Sequence, residues 1–172
     1  NAMAYDNRGA IKNELKDYKR AIKDFTKAIE RDPDYVNAYN NRGNAKQELK
    51  DDYGAIADYT KAIELDPNFA EAYNNRGNAI KNTEQSPLYN SGKIPIEAIA
   101  DYTKAIELKP NFAAAYYNRG YVKCFFLKDD YGAIADWKIA VGLKEGIGYD
   151  KEKNRAIKDW MLIQEKFKRG SG

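Results

Sequence analysis

Asparagine, arginine and aspartate recur in this sequence at fixed spacings, and they carry most of its chemical possibilities. The segment YNNRGNA stands at 39–45 and again, letter for letter, at 73–79. Asn7, Asn41, Asn75 and Asn118 hold equivalent places in four related segments. Asn44 and Asn78 lie one helical turn further on in two of them, with Asn40 and Asn74 alongside. A carboxamide offers a donor and an acceptor, the two groups that an extended peptide main chain needs met. A row of such amides is therefore expected to hold a peptide through its backbone, with little regard for side chains. Asparagine is a mediocre helix former, so its repetition needs a reason. The competing reason is duplication of a polar residue on a solvated face.

Arg8, Arg42, Arg76 and Arg119 follow the asparagines directly, yet they fall within an apolar arc. A buried guanidinium without a carboxylate is costly. Asp24, Asp58, Asp101 and Asp136 recur at a matching place downstream. The expected pairs are Arg8–Asp24, Arg42–Asp58, Arg76–Asp101 and Arg119–Asp136, with pairing to the adjacent repeat as the alternative. Arginine suits this role because its planar fork engages a carboxylate through two hydrogen bonds. The pairs are read as structural, fixing the register of two helices. The other reading, a basic row for anionic ligands, requires the arginines to share the asparagine face, and they point away from it.

Catalytic chemistry finds little footing. The chain has no histidine, one cysteine (Cys124), and no phosphate-binding glycine loop or metal-ligand constellation. No enzyme activity, metal or cofactor is expected. Cys124 has no base at hand and reads as a packed thiol. Net charge is +3, from 29 basic and 26 acidic residues, too balanced to point to nucleic acid or an acidic membrane. No run of 18 apolar residues offers a membrane span. One cysteine excludes a disulfide framework within the chain, which suits a reducing compartment such as the cytoplasm.

The elements that must position these residues are helices in pairs. Four copies start at AYDNRGA (4–10), AYNNRGN (38–44), AYNNRGN (72–78) and AYYNRGY (115–121). Each is followed by a segment of the form AI-x-D-aromatic, and three end on Pro33, Pro67 and Pro110. At about 100° per residue, Ala38, Tyr39, Arg42, Gly43, Ala45 and Leu49 share one arc. Asn40, Asn41, Asn44, Gln47 and Glu48 take the other. Ala55, Ile56, Tyr59, Ala62 and Ile63 share a face of the following helix. Gly43 and Ala55 allow two backbones to approach, and Tyr59 fills the space beside them. A repeat of this length marks a solenoid of helical hairpins.

The chain resembles the tetratricopeptide repeat (TPR) family. The resemblance rests on the aromatic at 5/39/73/116, Gly at 9/43/77/120 and Ala at 21/55/98/133, all repeated in register. It continues in an aromatic at 25/59/102/137, Ala at 28/62/105/140 and Pro at 33/67/110, covering about 2–145. It departs at Glu145, where a fourth proline is missing, and at the arginines, where the family usually has leucine. The resemblance implies an all-α solenoid of four hairpins forming a right-handed crescent whose first helices line a peptide-binding concave face. The row Asn7, Asn41, Asn75, Asn118 is similar to the asparagine ladder of the O-linked N-acetylglucosamine transferases. A second family use, a clamp for chaperone C-terminal carboxylates, is not expected. Its asparagines recur at Asn44, Asn75 and Asn118, but the places of its basic residues hold Asn40, Ala114 and Asn118.

The expected organisation is residues 1–2 as an expression scar, repeats at about 3–35, 36–69, 70–112 and 113–145, then 146–172 as linker, capping helix and short tail. The third repeat carries an inserted loop at 81–97 with two prolines and a glycine. It is read as a surface insertion, or as a flap carrying Leu88, Tyr89 and Ile94 to the groove edge. Ile157, Trp160, Ile163 and Phe167 make the apolar stripe of the final helix. Tyr117, Tyr121 and Phe125 step by four residues beside Cys124, either under that final helix or as an apolar pocket for a peptide side chain. The functional expectation is a non-catalytic scaffold that binds an extended peptide or partner protein, with no nucleic acid and no membrane. The alternative is a module that self-assembles through exposed solenoid ends into a homo-oligomer.

Overall fold

A computed structural model describes residues 1–83 and 93–143, the side chains of 93–95 excepted. Among the described residues the chain is all-α. The helices are α1 (Ala2–Glu14), α2 (Tyr18–Arg31), α3 (Val36–Glu48), α4 (Asp52–Leu65), α5 (Ala70–Asn82), α6 (Lys93–Leu108), α7 (Ala113–Phe125) and α8 (Asp130–Gly142). They divide between two compact units, Asn1–Lys109 and Pro110–Gly172. The first unit holds the hairpins α1–α2, α3–α4 and α5–α6. The second holds α7–α8.

Each hairpin is closed by one small-to-large contact. A Cβ on Gly9, Gly43 or Gly120 would fall 2.6 Å from the ring of Phe25, Tyr59 or Trp137, and one on Gly77 would fall 2.8 Å from Tyr102. The missing side chain makes room for the ring, and alanines on the second helix complete the seam. Ala21, Phe25, Ala28, Ala55, Tyr59, Ala62, Ala98, Tyr102 and Ala105 are all fully buried. Losing one such ring costs roughly 3–5 kcal/mol. Within the first unit the first helix of a repeat also seals the previous hairpin: Ala45 packs with Ala21 and Phe25, and Ala79 with Ala55 and Tyr59.

The turns are as regular as the seams. Lys16, Lys50 and Lys128 take left-handed backbone angles (φ 60°, 64° and 57°) between paired helices. The aspartate that follows each caps the next helix: Asp17 accepts from the Arg20 amide, Asp51 from Gly54 and Asp129 from Gly132. A cap of this kind contributes about 1 kcal/mol, against roughly 1–2 kcal/mol for the left-handed lysine.

Three sequence expectations change here. Residues 1–2 are not inert: α1 starts at Ala2, and the Asn1 side chain accepts from the Met3 amide at 3.0 Å, because asparagine is a good N-cap. The segment 81–97 is helical at both ends, since α5 runs to Asn82 and α6 starts at Lys93. Pro95 is tolerated there because a first-turn residue has no intrahelical acceptor for an N–H. Leu88, Tyr89, the Ile94 side chain and the whole capping stretch with Ile157, Trp160, Ile163 and Phe167 lie outside the described residues. The third change concerns Asn40, assigned to the solvated arc but only 8% exposed. Consecutive first helices lie against each other, and their contact hides it.

Candidate functional site

The arginines of the first helices meet the aspartates of their own hairpins. Arg42 donates from Nε and Nη2 to the two carboxylate oxygens of Asp58 at 2.9 and 2.7 Å. Arg76 meets Asp101 at 2.8 and 2.7 Å, and Arg119 meets Asp136 at 2.9 and 2.7 Å. Arg8 engages Asp24 through the same two atoms. The guanidinium carbon also lies 5.3–5.6 Å from the ring centre of Tyr5, Tyr39, Tyr73 or Tyr116, three residues earlier on the helix. The adjacent repeat contributes as well: Nη1 of Arg42 donates to Thr26 and Nη1 of Arg76 to Thr60. The arginines of α3 and α5 are thus enclosed, and the Arg119 side chain is 16% exposed. Arg8 is not enclosed: its side chain is 54% exposed.

A second cation stands at three of these carboxylates. Lys12 reaches Asp24 at 2.6 Å, Lys46 reaches Asp58 at 2.7 Å, and Lys123 reaches Asp136 at 2.9 Å. The bonds from Arg8, reinforced by Lys12, hold the Asp24 carboxyl down at about 2. The lysines were missed in the sequence, although a lysine four residues after each of Arg8, Arg42 and Arg119 was there to find. The third repeat has Ile80 at that place.

The asparagines divide into two sets. Asn41 donates to the buried Asp6 of the previous first helix at 3.0 Å. Asn75 donates to Asn40 at 3.1 Å and Asn44 at 3.2 Å, and accepts from Asn74. Both stitch one repeat to the next, and the two N–H groups of Asn75 are occupied. Asn44 and Asn78 act differently. Each faces a buried phenol of the following helix: the Tyr59 hydroxyl lies 2.8 Å from both Asn44 Oδ1 and Gln47 Oε1, which share its one proton, and Tyr102 donates to Asn78 at 2.9 Å. Burial pushes both phenols far above their ordinary range, so they remain protonated donors. Each carboxamide is therefore oriented by its oxygen. Its NH2 group has no acceptor among the described residues. Asn7 is exposed on α1.

In the second unit, Asn118 is half-buried on α7. Tyr117 and Tyr121 pack partly buried on the cluster of Cys124, Ala133 and Trp137. Trp137 Nε1 donates to the Tyr117 carbonyl at 3.1 Å. Phe125 stacks 4.6 Å from Tyr121 and is 51% exposed. Cys124 is buried, donates to Asp130, and is pushed up in pKa by burial. That environment disfavours the thiolate a nucleophile needs.

Regular hairpins closed by a glycine under an aromatic ring lead to one family. A family model described as "TPR repeat" matches residues 4–50, 51–83 and 88–123. The chain belongs to the tetratricopeptide repeat family. No curated protein sequence matches it. Among solved structures, this TPR chain is similar to the first TPR of Spaghetti (RPAP3) bound to the HSP90 peptide SRMEEVD. That match has 26% identity, 72% of this chain and 90% of that one covered, and a TM-score of 0.65. The second TPR domain of human RPAP3, in complex with the HSP70 peptide SGPTIEEVD, matches at 25% identity, 71% and 94% coverage, and a TM-score of 0.63. A thermophilic TPR protein of Thermus thermophilus shares the fold at 20% identity, 84% and 75% coverage, and a TM-score of 0.75. No helix among the described residues is long and apolar enough to cross a membrane.

Proposed function

We propose that the chain is a non-catalytic interaction module whose first helices hold an extended segment of a partner protein. The observation that carries this reading is the pair Asn44 and Asn78: one oriented carboxamide in each of the second and third repeats, its oxygen engaged by a buried tyrosine and its NH2 unengaged among the described residues. Two preset donors on neighbouring first helices suit main-chain carbonyls about two or three residues apart in an extended peptide, since packed helices lie about 8–10 Å apart and an extended chain advances about 3.3–3.6 Å per residue. Asn7, Asn41 and Asn75 belong to the same face, but one N–H of Asn41 and both of Asn75 hold the repeats together, so Asn75 offers a ligand acceptor capacity only. In the second unit, Tyr121 and the exposed Phe125 offer an apolar contact for a large side chain, with Tyr117 and Asn118 beside them. The relatives that hold chaperone tails support a peptide as the class of ligand. This chain lacks basic residues at Asn40, Ala114 and Asn118, so a C-terminal carboxylate is not the group it grips.

The test is the isosteric double change Asn44→Asp with Asn78→Asp. Each aspartate keeps the oxygen that receives the tyrosine proton and loses the donors. Partner capture is expected to fall about tenfold or more, for two lost hydrogen bonds at about 1 kcal/mol each, with the helical signal unchanged. Retained capture would remove these donors from the reading.

A specific observation favours a second reading, self-assembly. Ile11 on α1 is 58% exposed and Leu15 74%, while Ala45 and Ala79, in the register place of Ile11, are 0% exposed. A second copy covering α1 would bury this face. Light scattering over a concentration series tests it: a constant monomer mass, unchanged by Ile11→Lys, rejects it.

A further inference from the structure

The third repeat breaks the two-cation pattern, and a cavity opens where it does. In hairpins α1–α2, α3–α4 and α7–α8 the aspartate Oδ2 receives both the arginine Nε and a lysine ammonium. In α5–α6, Ile80 replaces the lysine, and the Oδ2 of Asp101 receives Arg76 alone among the described residues. Asp101 is 6% exposed. Beside it lies a cavity of about 350 Å3, with Ile56, Ile80 and Ala100 on its apolar wall and Glu97, Asp101 and Arg76 on its polar one. That size falls within the usual range of small-ligand sites, about 300–1,000 Å3.

Glu97 is a second, independent departure. Its register place holds Arg20, Gly54 and Gly132 in the other hairpins. Two changes in one repeat therefore move the local charge the same way. Around the carboxylate itself, Arg42, Lys46 and Asp58 sum to one positive charge in α3–α4, and Arg76, Asp101 and Glu97 sum to one negative charge in α5–α6. The sister hairpins also show what this carboxylate geometry accepts, since a lysine ammonium sits 2.6–2.9 Å from the equivalent oxygen in each.

We infer that the cavity between α4, α5 and α6 is a binding site for a primary alkylammonium group supplied from outside the chain. The ammonium takes the place of the missing lysine at Asp101, with Glu97 as a second anion. Its methylene stem lies along Ile56 and Ile80, as lysine stems do on apolar surface. The site is independent of the asparagine reading, because it uses neither Asn44 nor Asn78 and its test measures a different ligand.

The probe is Nα-acetyl-lysine methylamide, titrated into the 15N-labelled full chain and followed by amide shifts. Saturable shifts are expected at residues 80, 97, 100 and 101. The Nε-acetylated probe, which is neutral, should leave them unmoved. Ile80→Lys rebuilds the sister arrangement within the chain and should weaken binding about tenfold or more, the site being filled. Glu97→Gln, a change at an exposed position that spares the fold, should weaken it up to about fivefold. 1,4-Diaminobutane binding as well as the lysine probe assigns a free amine as ligand. Preference for the lysine probe assigns a protein side chain, and either supports the site. Equal binding of the acetylated probe, unchanged affinity in both variants, or no saturable shifts at these amides overturns it.

Discussion

Hairpins α3–α4 and α5–α6 share one scaffold and differ in what surrounds their aspartate. In both, a glycine admits a tyrosine ring, the tyrosine orients an asparagine, and an arginine grips the carboxylate with two bonds while donating to a threonine of the repeat before. The difference lies in Lys46 against Ile80 and Gly54 against Glu97. Lys46 also donates to the Gly54 carbonyl at 3.2 Å. Hairpin α3–α4 thus holds its carboxylate between two cations of its own, while the buried carboxylate of α5–α6 has one such cation among the described residues and lies beside a cavity. Repeats conserve the groups that fix geometry and can vary the groups that only balance charge, and a site can arise from such a variation.

The strongest way to break this comparison is to remove the carboxylate from each hairpin. Asp58→Asn strands Arg42 and Lys46, whose side chains are 17% and 20% exposed, while Asp101→Asn strands only Arg76, at 21%. Losses of about 3 and about 2 kcal/mol are expected in urea unfolding, at and just below the lower end of the roughly 3–5 kcal/mol for broken buried pairs, because these cations reach water. Equal losses would mean that Lys46 contributes nothing to α3–α4. A smaller effect sharpens the contrast by exchanging the differing residue. Lys46→Ile is expected to destabilise by about 0.5–1 kcal/mol, and Ile80→Lys to stabilise by a similar amount. Both should shrink in high salt, which screens charge and leaves packing untouched. Two shifts of the same sign would assign the difference to packing rather than to charge.

Much of the fold was legible because its signals are local and repeated. Helix pairs, the prolines that follow them and the glycine–aromatic seam all follow from residues a few positions apart, or from one period compared with the next. The arginine–aspartate pairs could be named for a similar reason: a charge in an apolar arc has few affordable partners. The lysines behind Asp24, Asp58 and Asp136 were equally legible, four residues after Arg8, Arg42 and Arg119. The roles of the asparagines were harder to see. A helical wheel for one helix places Asn40, Asn41 and Asn44 on a polar arc, and a wheel holds no neighbouring repeat.

By itself, then, the sequence determined the all-α repeat, its register and the arginine partners expected for its buried aspartates, because periodicity and the cost of an unpaired charge act through the chain's own pattern. Only the tertiary structure separated Asn41 and Asn75, whose amides reach the previous helix, from Asn44 and Asn78, whose oxygens are taken by tyrosines from the next one. It also placed Ile80 on the wall of a cavity beside a carboxylate. Both depend on which side chains meet across helices, and that is set by packing distance and angle rather than by position along the chain.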